Sequence, residues 1–185
     1  MMTAQDLLEL VRSKGHMEYA DEGVSQLQHA WQCGTLARHA GGSKALELAC
    51  WLHDIGHMLT DLPGTPTMQG IDDQHEATGA KVLHHLWGNH VSEPVRLHVQ
   101  AKRYLVTTRP GYLDKLSGDS VRSLALQGGL MSAQECDDFN SNAYSEDAIR
   151  LRAWDDAAKQ KGSPALSDEA ILVELHALML EVPCK

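Results

Sequence analysis

The chain has 185 residues, ordinary apolar content and a formal net charge of −9. That length suits one domain with a sizeable core, and the composition excludes a disordered or fibrous protein. The acidic balance argues against non-specific nucleic-acid binding, which needs a basic face, but leaves room for a small anion held by a few buried cations.

Leu7, Leu8, Leu10 and Val11 predict a short amphipathic helix, capped by Thr3 and ended by Gly15. The stretch Tyr19 to Gly23 is polar and turn-like. Leu27, Ala30, Trp31, Gly34 and Ala37 recur at helical spacing until Gly41-Gly42, and His29 lies beside that stripe. Next comes the apolar run Ala45 to Leu52, which ends in His53-Asp54-Ile55-Gly56-His57. It reads as a buried helix that breaks at Gly56. Adjacent helical residues point about 100° apart, so His53 and Asp54 can share a ligand only where the backbone turns out of the helix. The pair has two readings: a solvated helix end, or a metal site built from imidazole and carboxylate.

From Leu59 to Gln74 the composition shifts to Pro63, Gly64, Pro66 and Gly70, a loop long enough to be functional. His75 opens a further helix. Ser92 is expected to cap another, with Pro94 in its first turn; His98 and Lys102 lie four apart on one face of it. Pro110-Gly111-Tyr112 is a turn, and Ser120 to Leu126 a short helix stopped by Gly128-Gly129. Ser132 to Glu135 fits a capping box. Tyr144 to Lys159 is helical, with Arg152 and Asp155 three apart, and Ser167 opens a last amphipathic helix. No useful strand-like alternation occurs, so the expected fold is all-α.

Four cysteines carry no Cys-x-x-Cys spacing, and Cys33 and Cys50 read as buried thiols. The N-terminal residues show no leader pattern and no run reaches membrane-spanning length, so a cytoplasmic protein without membrane partners is expected.

The polar residues on otherwise apolar helices are His29, His53, Asp54, His75, His98 and Asp155. Singly, each has an ordinary structural reading; Asp155 could simply pair with Arg152. His16, His39, His84, His85, His90 and His176 keep that reading. Together, the first six look like a dinuclear metal site with a bridging carboxylate.

The pattern His29 … His53-Asp54 … Asp155 resembles the HD-domain superfamily, known chiefly as metal-dependent phosphohydrolases. Tyr19-Ala20-Asp21-Glu22, Gln26 to His29, His98 to Val106, Leu126 to Gly129 and Leu151 to Asp155 extend the likeness to its phosphonate-degrading oxygenases, in particular glycine-forming 2-amino-1-hydroxyethylphosphonate dioxygenases. The resemblance implies a single compact HD-domain helical bundle over residues 1–185, with a metal-binding core from about 19 to 159 and a C-terminal helix from about 168 to 181. It implies one iron held by His29, His53, Asp54 and Asp155, and a second held by His75 and His98, with Asp54 bridging. It further implies a mixed-valent Fe(II)/Fe(III) pair with O₂ as co-substrate. His57, Lys102, Ser120 and Arg152 would surround the phosphonate, with His57 and Lys102 catalytic, and Tyr19 and Glu22 would meet the ammonium. The products would be glycine and phosphate. Two alternatives remain at this level: an HD phosphohydrolase acting on a nucleotide or phosphate ester, and a silent HD module that senses ligands or binds proteins. The oligomeric state is left open.

Overall fold

The computed structural model describes residues 2–18, 23–60, 62, 65–162 and 166–185. Among them the regular structure is helical, with a single isolated bridge between Glu18 and Ser25 and no strand. The helices are α1 (Ala4–Lys14), α2 (Gln26–His39), α3 (Lys44–Leu52), α4 (Ile55–Leu59), α5 (His75–Trp87), α6 (Asn89–Thr108), α7 (Gly118–Leu126), α8 (Ala133–Asn140), α9 (Ser145–Ala157) and α10 (Asp168–Glu181). Single 3₁₀ turns lie at Pro66–Gln69 and Leu113–Lys115. No helix among the described residues is long and apolar enough to cross a membrane.

The helices start where short polar side chains can satisfy free amides. Thr3 with Asp6, Ser25 with Gln28 and Ser132 with Glu135 form reciprocal capping boxes. Ser43, Ser117 and Ser167 accept from the third residue of α3, α7 and α10. Such caps contribute about 1 kcal/mol each.

Helix α3 is the centre of the bundle. It is apolar on nearly every side, and Leu46 to Leu52 are all buried, as expected of a helix surrounded by others. It packs against α2, α6, α9 and α10. Gly34 of α2 lets the Trp51 indole lie on the α2 backbone: a Cβ there would stand 2.2 Å from the ring. Leu48, Leu83, Val91, Leu151 and Ile171 continue this core between α3, α5, α6, α9 and α10. Each such fully buried side chain stabilises the fold by about 1.5–3 kcal/mol. Leu97, Ala101, Met131, Phe139 and Ala148 form a smaller apolar cluster that seats α8 on α6 and α9.

Two boundaries differ from the sequence expectation. The break after α3 falls at His53-Asp54, not at Gly56. Asp54 has φ −99° and ψ 10°, outside the helical well, and Gly56 lies inside α4. Helix α6 begins at Asn89, with Gly88 before it, so Ser92 is an interior residue and Pro94 sits beyond the first turn. Gly88 takes φ 75°, a conformation open to glycine, and there the chain turns directly from α5 into α6.

Candidate metal centre

The kink at Asp54 answers the angular problem of neighbouring helical residues. His53 ends α3 facing inward; Asp54, out of the helix, swings its carboxylate to the same place. Around it stand His29 from α2, His75 from the first turn of α5, His98 from α6 and Asp155 from α9. All six residues are buried, with exposures of 8% or less.

Their atoms fall into two sets. In the first, His29 Nε2 lies 3.3 Å from His53 Nε2 and 3.3 Å from Asp155 Oδ1, and Asp54 Oδ2 lies 3.2 Å from His53 Nε2. In the second, His75 Nε2 lies 3.2 Å from His98 Nε2, with Asp54 Oδ1 at 3.5 Å and 3.8 Å from them. The two oxygens of Asp54 are thus divided between the sets.

Hydrogen bonding identifies what these atoms offer. His29, His53 and His98 donate through Nδ1 to the carbonyls of Ala158, Cys50 and Val95, at 2.8, 2.8 and 2.6 Å. His75 donates through Nδ1 to Asp73 Oδ1 at 3.0 Å. In its neutral form a ring that donates through Nδ1 offers Nε2 as a ligand atom. Burial opposes charge on His53, yet Asp54 beside it holds its pKa well above that of an ordinary histidine. The Nε2 atoms of each set face one another, with an Asp54 oxygen beside them. Asp54 Oδ2 and Asp155 Oδ1 are also buried without a hydrogen-bond partner among the described residues. Buried acceptors left this way cost about 1–3 kcal/mol each, and a cation between them removes the deficit. The donor set of imidazole and carboxylate without thiolate fits a pair of first-row metal ions. Burial opposes charge on Asp54 and Asp155, yet His53 beside Asp54 and Arg152 beside Asp155 hold both carboxyls well below their usual range. Burial together with His75 and His53 pushes His98 well below an ordinary histidine, toward the neutral form that a metal would bind.

Beside the two sets lies a cavity of about 100 Å³, whose inner wall includes His57, Lys102, Ser120 and Arg152. Arg152 is buried; it reaches Asp155 Oδ2 at 2.8 Å, pairs with Asp156, and donates to Ser120 Oγ at 3.2 Å. The ion pair of Arg152 with Asp155 is therefore internal, not the surface pair that its spacing allows. Lys102 is 2% exposed and donates to Ser123 Oγ and Gln127 Oε1, both at 2.6 Å. Burial, with Arg152 nearby, pulls its pKa down to about 7. His57 donates through Nδ1 to Asp73 Oδ2 at 2.5 Å, and its ring stacks on His75 with centroids 4.0 Å apart.

The structure therefore gathers ten of the twelve sequence-predicted residues around one site; Tyr19 and Glu22 lie outside the described residues. The six histidines left aside are all exposed. Sequence reasoning missed Asp73, Ser123, Gln127 and Asp156, which hold His57, His75, Lys102 and Arg152. It also missed Tyr112, whose hydroxyl donates to Asp156. Only Gln127 carried a signal, as part of the Leu126 to Gly129 segment.

A helical bundle that buries imidazoles and carboxylates around a kinked His-Asp turn defines the HD-domain class of metal-dependent enzymes. No family model matches the chain. A hydroxymethylphosphonate dioxygenase of Gimesia maris is 43% identical over 157 residues, covering 84% of this chain and 78% of that protein. A [1-hydroxy-2-(trimethylamino)ethyl]phosphonate dioxygenase (glycine-betaine-forming) of Leisingera caerulea is 38% identical over 148 residues, covering 80% and 75%. An uncharacterised protein of Acanthamoeba polyphaga mimivirus is 30% identical over 155 residues, covering 83% and 71%. The chain belongs to the HD-domain phosphonate dioxygenase family, a family of oxidoreductases.

Proposed function

We propose that this chain is a diiron dioxygenase that cleaves the carbon–phosphorus bond of a 1-hydroxyphosphonate, with 2-amino-1-hydroxyethylphosphonate as substrate and glycine and phosphate as products. The observation that supports it most is the division of the two Asp54 oxygens between two buried sets of imidazole and carboxylate donors, directly beside a pocket lined by Lys102 and Arg152. His29, His53, Asp54 and Asp155 would hold one iron; Asp54, His75 and His98 would hold the other. The second set has fewer protein donors, which leaves positions for a chelating substrate. The irons, when bound, supply the activation of O₂ and the oxidation at C1.

The chain's own residues bind and orient. Lys102 and Arg152 offer charge to a dianionic phosphonate, and Ser120 offers a hydroxyl. His57, fixed by Asp73, presents Nε2 toward the same space, 4.0 Å from Asp54 Oδ1. With the phosphonate at that wall and the hydroxyl toward the second metal position, C1 is held between them. Glu18 and Asp72, both exposed, also line the cavity and offer carboxylates to an ammonium group. The resemblance implies that Tyr19 and Glu22 meet the substrate ammonium.

Hydroxymethylphosphonate is the second reading, favoured by the 43% identity with a dioxygenase named for it. The test is a substrate panel: hydroxymethylphosphonate, 2-amino-1-hydroxyethylphosphonate and its trimethylammonium analogue, each followed by O₂ uptake and phosphate release. The proposal expects one O₂ consumed per phosphate released, and the highest kcat/KM on the primary amine. Highest kcat/KM on hydroxymethylphosphonate would move the assignment to the second reading. Phosphate released from a nucleotide without O₂ uptake, with no turnover of the phosphonates, would overturn the oxygenase assignment.

A further inference from the structure

His29, His53 and His98 are all oriented by a main-chain carbonyl. For His53 and His98 it is the carbonyl three residues back on the same helix, Cys50 and Val95. His75 has no such partner, because it is the first residue of α5 and the helix has no preceding turn. A side chain from the preceding loop replaces the carbonyl. Asp73 Oδ1 accepts from His75 Nδ1 at 3.0 Å, while Asp73 Oδ2 accepts from His57 Nδ1 at 2.5 Å. The Asp73 side chain is 5% exposed, and both of its oxygens are engaged by imidazoles.

The backbone is bent to achieve this. Gln74, between Asp73 and His75, has φ 48° and ψ 40°, and is the one non-glycine residue at positive φ among the described residues. A left-handed conformation costs such a residue about 1–2 kcal/mol, and the bend turns the Asp73 carboxylate back over the first turn of α5.

We propose that Asp73 is a positioning residue that locks His75 as a ligand of the second metal and, with its other oxygen, locks His57 toward the substrate. This rests on the dinuclear reading above. Both rings are held with hydrogen on Nδ1, so both present Nε2 to the cavity. A carboxylate partner also strengthens the imidazole as a donor more than a carbonyl does. Occupancy of the second metal position and placement of His57 are thereby tied to one side chain.

The test uses full-length protein stripped of metal and titrated with Co(II), followed by calorimetry and by cobalt absorption. Wild type is expected to take up two Co(II) in separable phases, and His75→Ala identifies the phase that belongs to the second position. Asp73→Ala and Asp73→Asn should weaken that phase by about 10–100-fold and leave the other unchanged. Asn can accept from only one of the two imidazoles, so it tests the inference without loss of volume if Ala fails to fold. Adding Asp73→Asn to His75→Ala should have no further effect on metal binding. Two phases of wild-type affinity in Asp73→Asn would overturn the inference while sparing the dinuclear reading. So would an equal weakening of both phases with a matching fall in apo-protein Tm. Uptake of a single Co(II) by wild type would overturn the dinuclear reading itself, and the inference with it.

Discussion

Gly56 and His75 meet backbone to backbone: a Cβ on Gly56 would stand 2.0 Å from the carbonyl oxygen of His75 and 2.6 Å from its Cα. Gly79, one turn further along α5, approaches Gly56 from the same side. This contact fixes the distance between the helix that carries His57 and the helix that begins with His75, and so the spacing of Asp54 from the second donor set.

Gly56→Ala has no flexible side chain to push aside, so α4 or α5 must shift. Overpacking of this kind costs about 1–3 kcal/mol, which for a chain of this size lowers Tm by roughly 2–12 °C. Thermal melts together with elemental analysis should show a lower Tm and loss of one metal. Wild-type Tm and full metal content in this variant would contradict the close contact.

Asp54→Ala removes the carboxylate that both sets share. It should abolish turnover and leave fewer than two metals per chain, because the charge between two cations is gone. Elemental analysis that finds two full metals in an inactive variant would contradict the bridging role.

The site was legible in the sequence where residue type and local spacing coincide. His53-Asp54 closing an apolar run, His98 and Lys102 four apart, and Arg152 and Asp155 three apart are all local patterns, and the helical periodicity around them exposed each as polar residues on a buried face. Thr3, Ser132 and Ser167 marked helix starts for the same reason. Asp73 was not legible, because it lies in an aperiodic loop and acts on His57, sixteen positions away. Ser123 and Gln127 reach Lys102 from α7 and its end; Ser123 leaves no pattern in its own segment, and Gln127 only its place in the Leu126 to Gly129 stretch. Gly56 looked like a helix breaker because glycine usually is one; its role depends on a backbone approach from α5 that no one-dimensional pattern contains. The start of α6 was displaced because Ser92 has the chemistry of a cap, whereas Gly88 makes the turn through backbone conformation alone.

The pKa of Lys102 gives a pH dependence of known sign. Burial and Arg152 lower it to about 7, against Asp119, Asp155 and Asp156, which favour its charge. Unfolded lysine titrates near about 10.4. Below pH ~7 the folded protein bears the full penalty of a buried ammonium. Between about 7 and 10.4 the unfolded chain holds a proton that the folded state has released, so the Lys102 contribution rises with pH through that window. Lys102→Met should therefore raise apo-protein stability at pH 7 and flatten the rise. A dianionic phosphonate restores the charge, so wild type should take up a proton on binding at pH 8. Calorimetry in two buffers of different ionisation enthalpy checks this, and equal heats in both would contradict it.

In the proposed reading, Lys102 and Glu22 act on opposite ends of the substrate. Lys102→Ala should impair every phosphonate alike, since it acts on their shared group. Glu22→Ala should lower kcat/KM on the amino substrate by about ten- to a hundred-fold, the worth of a hydrogen bond to a charged group, and narrow its advantage over hydroxymethylphosphonate. Kinetics of both variants on both compounds decide it; unchanged discrimination in Glu22→Ala would remove Glu22 from the specificity of the enzyme.

The most direct measurement is iron content with an EPR spectrum on protein loaded with iron and partly oxidised. The proposed diiron reading predicts two irons per chain and the signal of a magnetically coupled Fe(II)/Fe(III) pair, with the coupling lost in Asp54→Ala. One iron per chain, or only the signal of isolated Fe(III), would contradict a dinuclear centre.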